Sequence, residues 1–530
     1  MSLKARMRVF FSADGMESDA FWLSIAVTVG IAVYLAYLAL YPFPAHGAGL
    51  YLAIAEQISA HGYRLPETIP HYTAEGVPFA YPPLLFYVIA MLRDTFGIDP
   101  ISLTRYLPGL LTVVYLIPYY YLTKEILESP SQAGVATVML AVTPVVLKWH
   151  LAAGGIVRAA AFLLVLTGLY TGIRTFKGKN RRWLIPSIAL FALTVLTHPV
   201  YTTLFGLSYL LMVGFFDRSW TGLGLGASVA IGGIALASPW WWHVVSTHGL
   251  SIFTAAAGTH DGLGGGFARL FDSFVGPLLS STQWPFYLLS VAGVLFLVRR
   301  RRLFVPAWMV LTGYLLTQNR LLYVAGAMAA AVFVCKVCLP VVREQVGTDN
   351  RGRYIPLFLF VLVVGSTLGF GVLTTGDSDA EAENRMETVL PAPYMDKHDE
   401  HAMGWVKRHT APSSQFVVLG DAAELFPFVT HRTSLASPWG VEWKGSTQFE
   451  RQKELYDSTS ACTTADCLTQ SLQNAQLRPD YVYVPKGHYT IRRDDHVQPS
   501  RMRRSLVKSP NYSLAFENRN VMIYRVNALD

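Results

Sequence analysis

From residue 21 to residue 374 one pattern repeats along the chain: apolar runs of about 15–22 residues, separated by short polar stretches. Apolar and polar positions do not alternate strictly within the runs, which favours helices over strands. A bilayer core about 30 Å thick takes roughly 20 apolar helical residues. Lipid offers no partner to a free backbone amide or carbonyl, so each run must close its own hydrogen bonds. The pattern predicts about eleven spans, at 21–42, 103–123, 132–149, 155–175, 183–197, 200–216, 221–243, 285–298, 303–317, 321–341 and 354–374. The first run is too long, and too far from any small-residue cleavage site, to be a removable leader.

Two further segments are apolar but do not fit a span. Residues 43–100 form a long loop between the first and second spans. Within it, residues 48–60 predict an amphipathic helix too short and too polar to cross, which suits the membrane interface. Residues 81–93 predict a second short helix, with prolines at its start where they are tolerated. A loop of this length in a compact protein is usually functional. A second outer stretch, 244–284, carries the glycine run 262–266. Past residue 375 the pattern changes. Residues 377–387 read as a polar linker, 399–409 have helical spacing, and 416–419, 481–484 and 521–525 read as strands. The expectation is an α-helical polytopic membrane domain, 1–374, followed by a soluble α/β domain, 375–530.

Composition agrees with this division: 52% of the 530 residues are hydrophobic and 15% charged, against about 25% charged in a typical soluble domain. The net charge of +8 mostly reports topology. Lys4, Arg6 and Arg8 precede the first span, Lys177, Lys179, Arg181 and Arg182 follow the fourth, and Arg299 to Arg302 follow the eighth. Positive loops stay in the cytoplasm. With eleven spans all three clusters lie there, and the C-terminal domain lies outside the plasma membrane. Read this way, the four-arginine run anchors a span, and no nucleic-acid partner is expected. Cys335 and Cys338 fall inside an apolar run, whereas Cys462 and Cys467 lie in the outer domain, where a disulfide is plausible. Asn511 and Ser513 complete a glycosylation sequon.

Two interfacial helices between the first two spans resemble the layout of the GT-C superfamily of glycosyltransferases. Residues 81–127 are similar to the branch that includes protein O-mannosyltransferases and the aminoarabinose transferase of lipid A. The matching features are Pro82, Pro83 and Leu84, then Arg105 at the start of a span. Gly154, Gly155 and Arg158 open the fourth span, Thr197, His198 and Pro199 sit at the end of the fifth, and Ser238, Pro239 and Trp240 lie near the end of the seventh. The C-terminal residues Ala402, Trp405, Leu419, Asp421, Glu424 and Pro427 follow the order seen in outer domains appended to such enzymes. The resemblance implies a transferase that moves a sugar from a polyprenyl (dolichyl) phosphate carrier to a glycan, glycoprotein or glycolipid acceptor at the outer face, with inversion. It needs no further cofactor.

Such a transfer requires a carboxylate to take the acceptor's proton and cations to stabilise the departing phosphate. The family places an acid at the start of the first interfacial helix. Here that place reads His46, Gly47, Ala48, Gly49. Three residues can substitute: His46 itself, Glu56 further along the helix, and Glu75 in the loop before the Pro-Pro pair. Tyr81 stands where the aminoarabinose branch has a phosphate-contacting lysine. Arg105, Arg158 and Arg320 are the phosphate candidates, because Arg can contact phosphate bidentately, with snorkelling to the interface as the plain alternative. His198 and His243 are candidate hydrogen-bond partners, and residues 240–242 read as an interfacial Trp belt. The first outer loop contains no Asp-x-Asp pattern, and Asp377 and Asp379 lie in the acidic linker, so no metal is expected. Two other readings compete: a GT-C-fold subunit that binds glycan or lipid without catalysis, and a lipid-linked sugar flippase. The outer domain and the lack of a repeated half speak against the flippase.

Overall fold

A computed structural model describes residues 18–41, 43–44, 47–259, 271, 274, 284–316, 318–341, 395–486, 489–491, 495–497 and 500–527. The first span is α1 (Asp19–Leu40). The loop that follows folds as α2 (Gly49–Ala60), a two-stranded hairpin of β1 (Thr68–Ile69) and β2 (Val77–Pro78), and α3 (Leu84–Phe96). Helices are therefore present at both predicted positions, the second starting after Pro83. Helices α4 (Pro100–Val114) and α5 (Leu116–Leu127) make one 28-residue span. Its start is fixed by Pro100 at the first turn and by the Asp99 carboxylate, which accepts from the Ser102 amide.

Proline bends two of the predicted spans. α6 (Pro130–Val142) and α7 (Pro144–His150) meet at 57°. Pro144 forces Thr143 out of the helical region, to φ −73° and ψ 114°. After α8 (Gly155–Phe176), α9 (Leu184–Val195) and α10 (Pro199–Phe216), the pair α11 (Trp220–Leu236) and α12 (Ser238–His248) bends by 60° beside Pro239. There the Trp241 indole N–H donates to the Ile234 carbonyl at the bend, 2.9 Å away. α13 (Ser251–Thr259), α14 (Trp284–Arg299), α15 (Phe304–Leu315) and α16 (Asn319–Phe333) complete the bundle, and α16 runs on through a π-helical turn at Val334–Cys338.

Among the described residues, five helices are long and apolar enough to cross a bilayer, or seven if each bent pair is one span. The predicted span at 183–197 forms only the 12-residue α9. At 1.5 Å per residue a helix of that length reaches about 18 Å. The predicted span at 354–374, the linker and the glycine run 262–266 lie outside the described residues.

The C-terminal part is a five-stranded sheet with helices. In chain order it contains α17 (Lys397–His409), β3 (Gln415–Val418), α18 (Ala422–Thr430), β4 (Thr433–Ser434), α19 (Ser446–Ala461), α20 (Ala465–Asn474) and β5 (Tyr481–Pro485). A small hairpin of β6 (Tyr489–Ile491) and β7 (Asp495–Val497) follows, then α21 (Ser500–Lys508), β8 (Tyr512–Glu517) and β9 (Val521–Val526). The strand order is β4-β3-β5-β9-β8; the first three are parallel, and β9 pairs antiparallel with both β5 and β8. The three strands read from sequence are the three central ones, and β3 and β5 are near-continuous apolar runs, as strands covered on both faces require. A disulfide joins Cys462 to Cys467.

One apolar core runs through the loop between α1 and α4, the start of α8 and the sheet domain. It contains Leu50 and Ile54 of α2, Phe86 of α3, Ile156 of α8, Phe426 of α18 and Tyr483 of β5. The C-terminal domain is thus packed onto the loop and onto one end of the bundle.

Candidate functional site

At that end of the bundle the termini of α7, α8, α10 and α16 meet. Trp149 lies near the end of α7, and two guanidiniums stack on its ring: Arg158 of α8 and Arg320 of α16, each 5.2 Å from the centroid. Arg320 is 5% exposed. Its Nε donates to the Tyr201 hydroxyl at 3.2 Å. That hydroxyl lies 2.6 Å from His150 Nε2. The Tyr201 hydroxyl thus links the Arg320 guanidinium to His150. His150 is fully buried, and its Nδ1 has no partner. Arg158 Nη1 is likewise buried without a partner.

His198 flanks the group. Its ring meets Tyr201 edge-on at 5.1 Å, and its Nδ1 caps α10 by accepting from the Val200 amide at 3.3 Å. No carboxylate of the described residues lies within ion-pair distance of Arg158 or Arg320. Burying a guanidinium without a counter-charge costs several kcal/mol, and two on one ring also repel each other. Spare buried N–H donors beside two cations suit an anion with several acceptor oxygens.

The segment that lacks the expected acid borders this group. Gly47 sits at φ 109°, where residues bearing a Cβ are strained. Its amide donates to Glu424 Oε2 of α18 at 2.9 Å. A Cβ on Gly49 would lie 1.9 Å from the Glu424 carbonyl oxygen, so glycine there lets α18 seat against the start of α2. Tyr72 in the loop donates to the same carbonyl at 2.8 Å. A Cβ on Gly154 would lie 2.5 Å from the Gly47 carbonyl oxygen and 2.6 Å from Arg158 Nη1. Residues 47–49 therefore form a backbone cradle, with Glu424 at its amide and Arg158 close to its carbonyl.

The remaining sequence candidates lie elsewhere or serve the docking. Glu56 pairs with Arg93 at 3.4 Å and with His431 of the domain at 3.9 Å. Glu75 has an 80% exposed side chain, 3.7 Å from Lys444. Arg105 spends its donors on the Tyr41 and Leu38 carbonyls, at 3.1 and 3.0 Å, closing the end of α1. The Tyr81 hydroxyl donates to the Glu442 carboxylate of the domain, and its ring meets Trp443 edge-on at 5.0 Å. His46 lies outside the described residues. Of the sequence candidates, the structure brings together Arg158, Arg320 and His198. Trp149, His150, Tyr201 and Glu424 were not singled out as site residues, and Glu424 is more than 370 residues away from its partner loop in the chain. Among the described residues no group of three or more His, Cys, Asp or Glu side chains is placed to hold a metal ion.

A helical bundle with two helices in the loop after its first helix and a sheet domain packed over that loop is an architecture shared with solved GT-C glycosyltransferases. The oligosaccharyltransferase of Archaeoglobus fulgidus, solved with an inhibitory peptide and a dolichol-phosphate, superposes at TM-score 0.56 with 13% identity, covering 88% of this chain and 69% of that one. ArnT from Cupriavidus metallidurans gives 0.52 at 14% identity, covering 95% and 97%; it has also been solved bound to undecaprenyl phosphate. The mycobacterial arabinofuranosyltransferase AftD gives 0.56 at 17% identity, covering 96% of this chain and 40% of that one. At these identities the likeness is one of fold. No protein-family model and no curated protein matches the chain.

Proposed function

We propose that this protein is a membrane glycosyltransferase that takes a sugar from a polyprenyl-phosphate carrier and passes it, with inversion, to a glycan, glycoprotein or glycolipid acceptor. The observation that carries the proposal is the pair Arg158 and Arg320 on Trp149, with the Arg158 Nη1 donor buried and unpartnered and no carboxylate of the described residues within ion-pair distance. As the bond from the anomeric carbon to the carrier phosphate breaks, charge collects on the phosphate oxygens. Fixed cations in a water-poor site stabilise that charge without reorganising. The fold relatives with dolichol-phosphate and undecaprenyl phosphate support a polyprenyl carrier.

The lysine and arginine clusters support a cytoplasmic N-terminus and a site at the outer face of the plasma membrane. Residues 375–530 then act as an extracytoplasmic cover. The test is direct binding of undecaprenyl phosphate to the protein in lipid nanodiscs. Lys retains the charge but loses the planar fork. Losing one charge-assisted bond costs about 1.5–3 kcal/mol, so Arg158→Lys and Arg320→Lys should each weaken binding at least tenfold. Wild-type affinity in the double variant would sink the proposal.

A further inference from the structure

We infer that Glu424, carried by the C-terminal domain, is the carboxylate that removes the acceptor's proton. It stands in for the acid missing from residues 46–49. This rests on the glycosyltransferase reading above.

Four observations converge on Glu424. It is 5% exposed, so its carboxylate is held inside the structure and not on its surface. Its Oε2 is bound at the start of α2, through the Gly47 amide. Gly47 and Gly154 in turn bring that segment against Arg158 Nη1, whose donor is unpartnered. The backbone of α18 is fixed at this residue on two sides, by the Tyr72 hydroxyl and by the close approach of Gly49. Glu424 stands in the first turn of α18, where the helix dipole favours a negative charge. The acids of the loop do not compete: Glu56 is tied to Arg93, Asp94 accepts from Ser59 and Tyr63, Asp99 caps α4, and Glu67 and Glu75 are exposed.

In the step, Glu424 takes the proton from an acceptor hydroxyl, and the acceptor oxygen forms a bond to the anomeric carbon. The bond from that carbon to the phosphate oxygen breaks, and its electron pair leaves on the phosphate held by Arg158 and Arg320. The products are the glycoside, the polyprenyl phosphate and a protonated Glu424, which returns its proton to water. The C-terminal domain is then part of the active site, and a bundle without it lacks the base.

The experiment compares glycans and glycolipids from a host lacking the gene, complemented with wild type, Glu424→Gln or Glu424→Asp. Gln still accepts from the Gly47 amide and fills the same volume, so a purely structural cap survives the change. Asp keeps the charge but pulls it back by one methylene. A positioned base contributes about 10²–10⁴-fold, so Glu424→Gln should lower product at least a hundredfold, and Glu424→Asp at least tenfold. Protein abundance, melting temperature and undecaprenyl phosphate affinity should stay at wild-type values. Full restoration by Glu424→Gln overturns the assignment and leaves the glycosyltransferase reading standing. If Glu424→Gln does not accumulate, full restoration by Glu424→Asp overturns it in the same way. A deletion that changes no glycan or glycolipid overturns the glycosyltransferase reading itself, before any variant is compared.

Discussion

Gly49→Ala tests whether the seat between the loop and the C-terminal domain is as tight as the structure shows. Intrinsic propensity favours the change, since alanine is better than glycine in a helix by roughly 0.5–1 kcal/mol. Packing opposes it. The new Cβ would meet the Glu424 carbonyl oxygen at 1.9 Å, the Glu424 carbonyl carbon at 2.5 Å and Leu425 Cα at 2.8 Å, all backbone atoms that no rotamer change can move. Ordinary contact begins at 3.4 Å, so α18 must retreat by about 1.5 Å, the difference from 1.9 Å. That retreat carries the 2.9 Å bond from Gly47 to Glu424 out of range. Overpacking costs about 1–3 kcal/mol, and losing a hydrogen bond to a charged group about 1.5–3 kcal/mol. Against the propensity gain, the net loss is about 1.5–5.5 kcal/mol. At 1.4 kcal/mol per factor of ten, this weakens docking at least about tenfold. Hydrogen exchange of the full chain in nanodiscs should show faster exchange over residues 47–60 and 420–432. Gly206→Ala, where a Cβ meets nothing within 4 Å, should leave that exchange unchanged. Wild-type protection in Gly49→Ala would refute the reasoning.

Two further predictions concern the domain and its docking. Arg432 is buried, and its fork reaches the carbonyls of Lys407, Thr410, Thr430 and His431 and the Thr410 hydroxyl. Arg432→Lys leaves some of these buried acceptors unpaired and should cost about 3 kcal/mol, read as a lower denaturant midpoint; a shift worth under about 1 kcal/mol would contradict it. Burial holds both His71 of the loop and His431 of the domain below the usual histidine value of 6.5, with Arg432 and, for His431, Lys407 and Arg93 adding to the effect and Glu56 opposing it. A depressed folded-state value means that their stabilisation is complete above pH 6.5 and is lost as pH falls below it. The melting temperature should drop more steeply between pH 7.5 and 5 in wild type than in the double variant His71→Gln, His431→Gln; identical slopes would refute this.

Much of the architecture was legible in the sequence because it follows from local rules. Lipid demands long apolar helices, so α1, α8, α10 and α16 stand where their apolar runs predict. The runs around Pro144 and Pro239 predict spans but not their bends, because the angle depends on how neighbouring helices receive the broken segment. The central strands β3, β5 and β9 were visible as short apolar runs bounded by turn residues. Arg158 and Arg320 were visible as charges at the ends of apolar segments, where a charge needs a reason.

The sequence by itself determined that this chain is built largely of long apolar helices, that two short helices follow the first of them, and that residues 46–49 contain no acid. Only the tertiary structure decided why positions 47 and 49 are glycine, and which carboxylate stands beside them. Gly47 and Gly49 make room for a helix that begins 373 positions after Gly49, at Ala422, and Glu424 reaches the Gly47 amide across 377 positions. Such a contact leaves no periodicity or spacing in either segment, because it is set by the packing of one core shared by loop and domain. The loop needs no acid of its own where the fold delivers one from outside it.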